Sequence, residues 1–239
     1  MVFKYFFIII IFFNFVFGCK AEKPVVQKKP EPVVFVKPKI RLLTAEQRKE
    51  LRFPPDLISQ IELAAGAEAE PFLATVVIPS ENMKGEKGFE TRKLVGFSVR
   101  TKHSEELIST YRAGIRVKGF LIFKSHRGYG NLPDIVTVIR GQSSYDIIKM
   151  QETEAPNYQL DTKAIIAWLK KQQDLGSFFI IGAGADWVEA RFIKPPHSML
   201  VFAKRINAFA PDVLGREIQT VEKLAERMDK MNGFYLVWD

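Results

Sequence analysis

The sequence predicts an α+β protein with mixed or antiparallel sheets, helices packed on one face and two co-packed halves. Three observations lead there. Of 239 residues, 47% are apolar and 26% charged, enough to bury a core and too apolar for overall disorder. Short apolar or alternating runs of strand length are interleaved with helices that carry recognisable starts and stops. Each half then offers a helix, a strand pair, a helix and further strand, an order that builds segregated α and β layers.

In Thr44-Ala45-Glu46-Gln47 a hydroxyl stands three residues before a Gln, the reciprocal capping arrangement that opens a short helix. Pro54-Pro55-Asp56 opens a second, whose Leu57, Ile58, Ile61 and Ala65 recur at helical spacing before Gly66 stops it. Phe72–Ile78 is a near-continuous apolar strand ended by Pro79. After a polar, glycine-bearing loop at Ser80–Thr91, Lys93–Arg100 alternates, with Leu94, Gly96 and Ser98 on one side and Val95, Phe97 and Val99 on the other. Ser104–Ala113 reads as a helix closed by Gly114, and Phe120–Lys124 and Ile135–Arg140 as strands around the loop Ser125–Pro133.

The second half begins with a helical turn at Tyr145–Met150 and a turn at Pro156-Asn157. A helix over Thr162–Gln172 follows, with Ile165, Ile166, Trp168 and Leu169 spread across its buried face. Phe178–Ile181 and Trp187–Ile193 are strands joined by a hairpin turn at Gly182-Ala183-Gly184. Parity places Asp186, Val188, Ala190 and Phe192 on the apolar face, with Asp186 partly buried, and Trp187, Glu189 and Arg191 on the opposite one, where an exposed Trp187 would need a reason. Ser198–Phe209 is helical. Val221–Met231 is a helix with Val221, Leu224, Met228 and Met231 on one face, capped by Gly233 before a last strand, Phe234–Trp238.

The folded body is thus expected to start near residue 40, as an N-terminal half over 40–142 and a C-terminal domain over 143–239. What precedes it has another character. Residues 1–18 begin with a positive end at Lys4, continue with mostly apolar residues from Tyr5 to Phe17 and finish on Gly18, the anatomy of a signal peptide. As a helix that apolar stretch reaches about 20 Å, short of the roughly 30 Å hydrocarbon core. Val16-Phe17-Gly18-Cys19 resembles the lipobox of bacterial lipoproteins, with Phe17 departing from its usual middle residue. Simple secretion and an uncleaved anchor stay open. The lone Cys19 at this position favours lipidation, which would make it an acylated mature amino terminus holding the protein to a membrane. Residues 19–39 then form a tether rich in Pro and Lys, whose polyproline stretch spans up to about 60 Å. Lys20 is not the aspartate that resembles an inner-membrane retention signal, so the outer membrane is the default.

The net charge of +8 does not indicate nucleic acid. Lys4 carries one of these charges and residues 20–39 a further four, leaving +3 for residues 40–239, where no basic stripe with interleaved aromatics occurs. Cys19 is the single cysteine, which excludes an intramolecular disulfide and a thiolate zinc site, and the spread of His103, His126 and His197 argues against a metal. No cofactor is expected. Gly182-Ala183-Gly184 is not a dinucleotide fingerprint, because Trp187 stands where the third glycine belongs and a strand follows in place of a helix.

Several residues of the C-terminal part carry a resemblance. They are Thr153, Asn157-Tyr158, Trp168-Leu169-Lys170, Ile180-Ile181-Gly182-Ala183-Gly184, Asp186-Trp187-Val188-Glu189, Phe209 with Pro211-Asp212-Val213, Leu224-Ala225-Glu226, Tyr235-Leu236 and Trp238-Asp239. Residues 143–239 resemble the bacterial family termed domain of unknown function 4253. The family typically has a cysteine before its Pro-Asp pair and a Gln-Gly after it, where this chain has Ala210 and Gly215-Arg216-Glu217. The resemblance implies kinship and fold without a reaction.

Candidate chemistry gathers on the same positions. Asp186, Asp212 and Asp239 are the candidate catalytic carboxylates, since paired carboxylates perform acid–base work, although turn capping is the favoured reading of Asp186 and Asp212. Asn157, Tyr158, Trp187, Glu189 and Trp238 are the binding candidates, and His126 with Arg127 a candidate anion site. With no catalytic motif, the expected function is a cell-envelope lipoprotein with a binding or interaction module. Its expected partners are the membrane, through Cys19, and an envelope protein or small ligand. The alternative is a hydrolase-type enzyme using Asp186 with Asp212 or Asp239.

Overall fold

In a computed structural model the described residues are 41–78, 89–215 and 217–239. The leader, Cys19 and the tether lie outside them, as does most of the loop expected at Ser80–Thr91. The helices are α1 (Ala45–Leu51), α2 (Pro55–Ala65), α3 (Ser104–Arg116), α4 (Tyr145–Met150), α5 (Thr162–Gln172), α6 (Met199–Phe209) and α7 (Val221–Lys230). The strands are β1 (Glu70–Ile78), β2 (Phe89–Thr101), β3 (Phe120–His126), β4 (Asp134–Arg140), β5 (Ser177–Ala183), β6 (Trp187–Lys194) and β7 (Gly233–Val237). Among the described residues no helix is long and apolar enough to cross a membrane.

The local signals act as their chemistry dictates. Thr44 Oγ1 accepts from the Gln47 amide and Gln47 Oε1 from the Thr44 amide, closing the box that starts α1. Gly66 ends α2 at φ 66°, a conformation that costs glycine nothing. Asp161, Ser198 and Thr220 cap α5, α6 and α7.

All strands join one sheet in the order β1-β2-β4-β3-β5-β6-β7. It is mixed, as expected, because β3 and β5 run parallel, joined at Lys124 and Gly182, while every other neighbour is antiparallel. The two halves thus share a continuous sheet. Each keeps its helices on one face, but the faces are opposite. Alternation along β3 explains how: Phe120 and Ile122 join Leu57, Ile61, Leu107 and Ile108 under α2 and α3, whereas Leu121 and Phe123 join Ile147, Ile165, Leu169 and Phe202 under α4, α5 and α6. Burying both faces of its central strands requires helices on both sides.

Among the described residues this division leaves an area of the sheet without a helix over it. On the α1–α3 face the helical layer extends to β5, where the Arg112 guanidinium lies 3.5 Å from the Phe179 ring centroid. Beyond it, β6 and β7 present Trp187, Glu189, Arg191, Tyr235 and Val237, and the loop after β3 folds over them.

Candidate functional site

A polar cluster lies where that face meets the β3–β4 loop. Lys124 points the same way as Phe120 and Ile122, so its ammonium stays on the sheet surface, yet the side chain is only 6% exposed. Its Nζ is 3.2 Å from Glu189 Oε2 and 3.4 Å from Asp134 Oδ2. Glu189 Oε1 in turn accepts from Arg191 Nη2 at 2.9 Å, and the same nitrogen donates to Glu105 of α3 at 2.6 Å. Asp134 also accepts from Ser104 Oγ and, at 2.8 Å, from the Gly128 amide. Burial alone would raise the Asp134 carboxyl, but these donors and Lys124 outweigh it and hold it below the usual range.

Lys124 and Glu189 lie on strands separated by β5, and Gly182 is the residue between them. A Cβ on Gly182 would stand 3.1 Å from that of Lys124 and 2.9 Å from the Trp187 ring. One on Gly184 would stand 2.1 Å from Trp187 Nε1. The two glycines are therefore the bed of the Trp187 indole, and the bare backbone at 182 lets the ion pair close across it. The turn lies two residues later than the Gly182-Ala183-Gly184 reading has it: β5 runs through Ala183, and residues 184–186 turn.

Beside the cluster, along β7, lies a cleft of about 420 Å³. One wall is apolar, from Ile218, Leu224, Met228 and Met231; the other carries Arg127, Tyr129, Tyr235 and Val237, with Glu189 and Asp212 also reaching the lining. The Arg127 guanidinium lies 4.4 Å from the Tyr235 ring centroid. Burial pushes the Tyr235 phenol up although Arg127 pulls it down. Burial would lower Arg127, but the Tyr235 hydroxyl, together with the nearby Glu189 and Tyr129, outweighs it and raises the guanidinium. Among the described residues no carboxylate is within ion-pair distance of Arg127, whereas Arg227 pairs with Glu217 at 3.4 Å.

The aspartates gather at the C-terminal end of β7, largely through main-chain groups. Asp212 Oδ2 accepts from the Tyr158 hydroxyl at 2.7 Å and from the Asp239 amide at 2.9 Å. Asn157 Nδ2 donates to the Asp239 carbonyl at 3.0 Å. The bond to Asp212 raises the Tyr158 phenol above its ordinary range. Asp186 joins through its carbonyl, which accepts from the Trp238 amide at 3.0 Å, while its side chain is exposed in the turn before β6. The strand parity that placed Asp186 with Val188 and made it partly buried does not extend to it, because β6 starts only at Trp187. Asn157, Tyr158, Asp212 and Asp239 thus pin the chain end. Among the described residues no group of three or more His, Cys, Asp or Glu is placed to hold a metal ion.

Both tryptophans among the binding candidates are buried. Trp238 donates from Nε1 to the Phe209 carbonyl at 3.1 Å and meets the Phe209 ring edge-on. Trp187 faces the side that alternation predicts, but Gly182, Gly184 and Tyr235 cover it, so it is not the exposed residue anticipated. Glu189 lies in the ion cluster at the cleft. The candidate anion pair separates: Arg127 enters the cleft, and His126 lines a different surface depression with Ser125 and Gln151. Sequence reasoning missed Lys124, Asp134 and the cleft walls. The available signal for the first was a lysine closing the apolar run Phe120–Phe123.

Residues 135–239, somewhat less than half of the chain, match the family model described as domain of unknown function (DUF4253). The match begins within β4, ahead of the resemblance read at 143–239. It includes the terminal clamp, β6, α7 and β7, and stops short of Lys124, Arg127 and Asp134. No curated protein and no solved structure matches the chain.

Proposed function

We propose that this chain is a bacterial cell-envelope lipoprotein, anchored through an acylated Cys19, whose folded body is a non-catalytic binding module seated on the cleft beside β7. The observation that carries the binding half is the lining of that cleft, an apolar wall facing Arg127, a cation with no carboxylate partner among the described residues. Such a combination suits a ligand with apolar bulk and one negative charge. The Asp212 carboxylate is engaged by Tyr158 and Asp239, and Asp186 meets them only through its carbonyl, which favours binding over the hydrolase reading.

Two measurements test the two halves. Produced in a bacterium, the wild-type protein should show an acylated mass and partition into detergent, and Cys19→Ala should do neither; identical behaviour of the two overturns the anchor. The full chain in detergent micelles should bind the aromatic anion anilinonaphthalene sulfonate saturably at one site. Met231→Trp, which narrows the cleft, and Arg127→Gln, which removes its charge, should each weaken that binding about tenfold or more, the latter on the scale of one charge-assisted hydrogen bond. Absence of saturable binding, or binding indifferent to both substitutions, overturns the cleft as a ligand seat.

A further inference from the structure

The cleft runs along the open edge of the sheet, and this edge narrows the class of ligand. The strand β7 is the last in the order and, among the described residues, pairs with β6 alone. The Trp238 amide donates to the Asp186 carbonyl and the Phe192 amide to the Asn232 carbonyl, which fixes the phase of the ladder. Counting in twos from these pairs, Phe234 and Leu236 turn their backbone groups toward β6. Gly233, Tyr235 and Val237 turn theirs outward, and no other described residue hydrogen-bonds them. Those same residues place Tyr235 and Val237 side chains in the cleft lining.

An exposed edge is normally blunted by a charge, a proline or a covering segment. The edge Gly-Phe-Tyr-Leu-Val has neither charge nor proline. What lies beside it is the apolar wall of Ile218, Leu224, Met228 and Met231, with Arg127 across the opening. A backbone donor and acceptor on each of Tyr235 and Val237, repeating every second residue, match the repeat of another extended peptide.

We propose, resting on the reading of the cleft as a ligand seat, that β7 is a docking edge. An extended segment of a partner protein adds there as an eighth strand. Its backbone pairs with Tyr235 and Val237, its alternate apolar side chains enter the cleft, and an Asp or Glu side chain meets Arg127. The partner is a peptide with alternating apolar residues and one acidic position, in preference to a second copy of this chain, whose β7 brings no carboxylate.

The test is selection from a display library of random dodecapeptides on the full chain in detergent micelles. Enriched peptides should alternate apolar residues and carry an Asp or Glu. A synthesised one should bind wild type with unit stoichiometry. It should bind Arg127→Gln and Val237→Pro about tenfold more weakly, the scale expected when one or two hydrogen bonds are lost. Val237→Pro removes only an outward amide, so the pairing with β6 stays intact. The same peptide methylated on alternate amide nitrogens should not bind the unaltered protein, a result independent of how the proline variant folds. No enrichment, or binding that survives both Val237→Pro and amide methylation, overturns strand addition. A wild-type dimer that Val237→Pro dissociates overturns it in favour of self-pairing. If the dye still occupies the cleft while no peptide is selected, the docking edge falls and the ligand seat stands; if neither binds, both fall.

Discussion

Glu189→Ala should lower the unfolding free energy by about 3–5 kcal/mol, the cost of removing one partner from a buried ion pair. The side chain is 5% exposed and supplies both oxygens, one to Lys124 and one to Arg191. Its removal leaves Lys124 with Asp134 alone, and leaves Arg191 with Glu105, which is largely exposed. The Lys124 side chain, 6% exposed, then keeps one carboxylate in place of two and bears most of the desolvation cost. The double variant Lys124→Met/Glu189→Leu removes both charges of the pair and keeps comparable volume, and its stability should return to within about 1–2 kcal/mol of wild type or exceed it. Urea unfolding of the wild type, Lys124→Met, Glu189→Leu and the double variant measures the coupling. Equal, additive losses would mean that the pair contributes no mutual stabilisation and that Glu189 acts only through its packing.

The strands of this protein are legible because side chains alternate along a strand whatever lies beside it. Alternation in Trp187–Ile193 correctly separates Val188, Ala190 and Phe192 from Trp187, Glu189 and Arg191. It cannot tell what covers the second set, since burial depends on the neighbouring strand and its register. The parallel pairing of β3 with β5 brings Lys124 to Glu189 across 65 positions, and no local spacing encodes that meeting. Asp212 is legible as a turn residue and Tyr158 as a binding candidate, but nothing local pairs the two across 54 positions. The cleft is further from view still: Met228 and Met231 fit a helix core face equally well, and only the end of the sheet at β7 leaves part of that face uncovered. Local chemistry therefore reveals the elements, and the long-range pairings that assemble the site come from topology.

Gly184→Ala should destabilise the protein by about 3 kcal/mol, at the upper end of what overpacking a well-filled site costs. The added methyl would stand 2.1 Å from Trp187 Nε1, well inside contact distance. That atom belongs to a rigid bicyclic ring, so no flexible terminus can swing aside. The indole also has little room to retreat, because Gly182 lies beneath it and the Tyr235 ring is 5.9 Å away. Moving it displaces Tyr235, which lines the cleft, and the dye bound there should weaken together with the stability. The partner of the clash can be identified by a second substitution. Trp187→Leu alone should cost up to about 3 kcal/mol by losing buried ring surface. On that background Gly184→Ala should add less than about 1 kcal/mol, since the atom it strikes is gone, and a coupling of this size is typical of residues in direct contact. Urea unfolding with tryptophan fluorescence gives all four values. A full additive loss in the double variant would place the strain in the backbone of the turn and remove the indole as its cause.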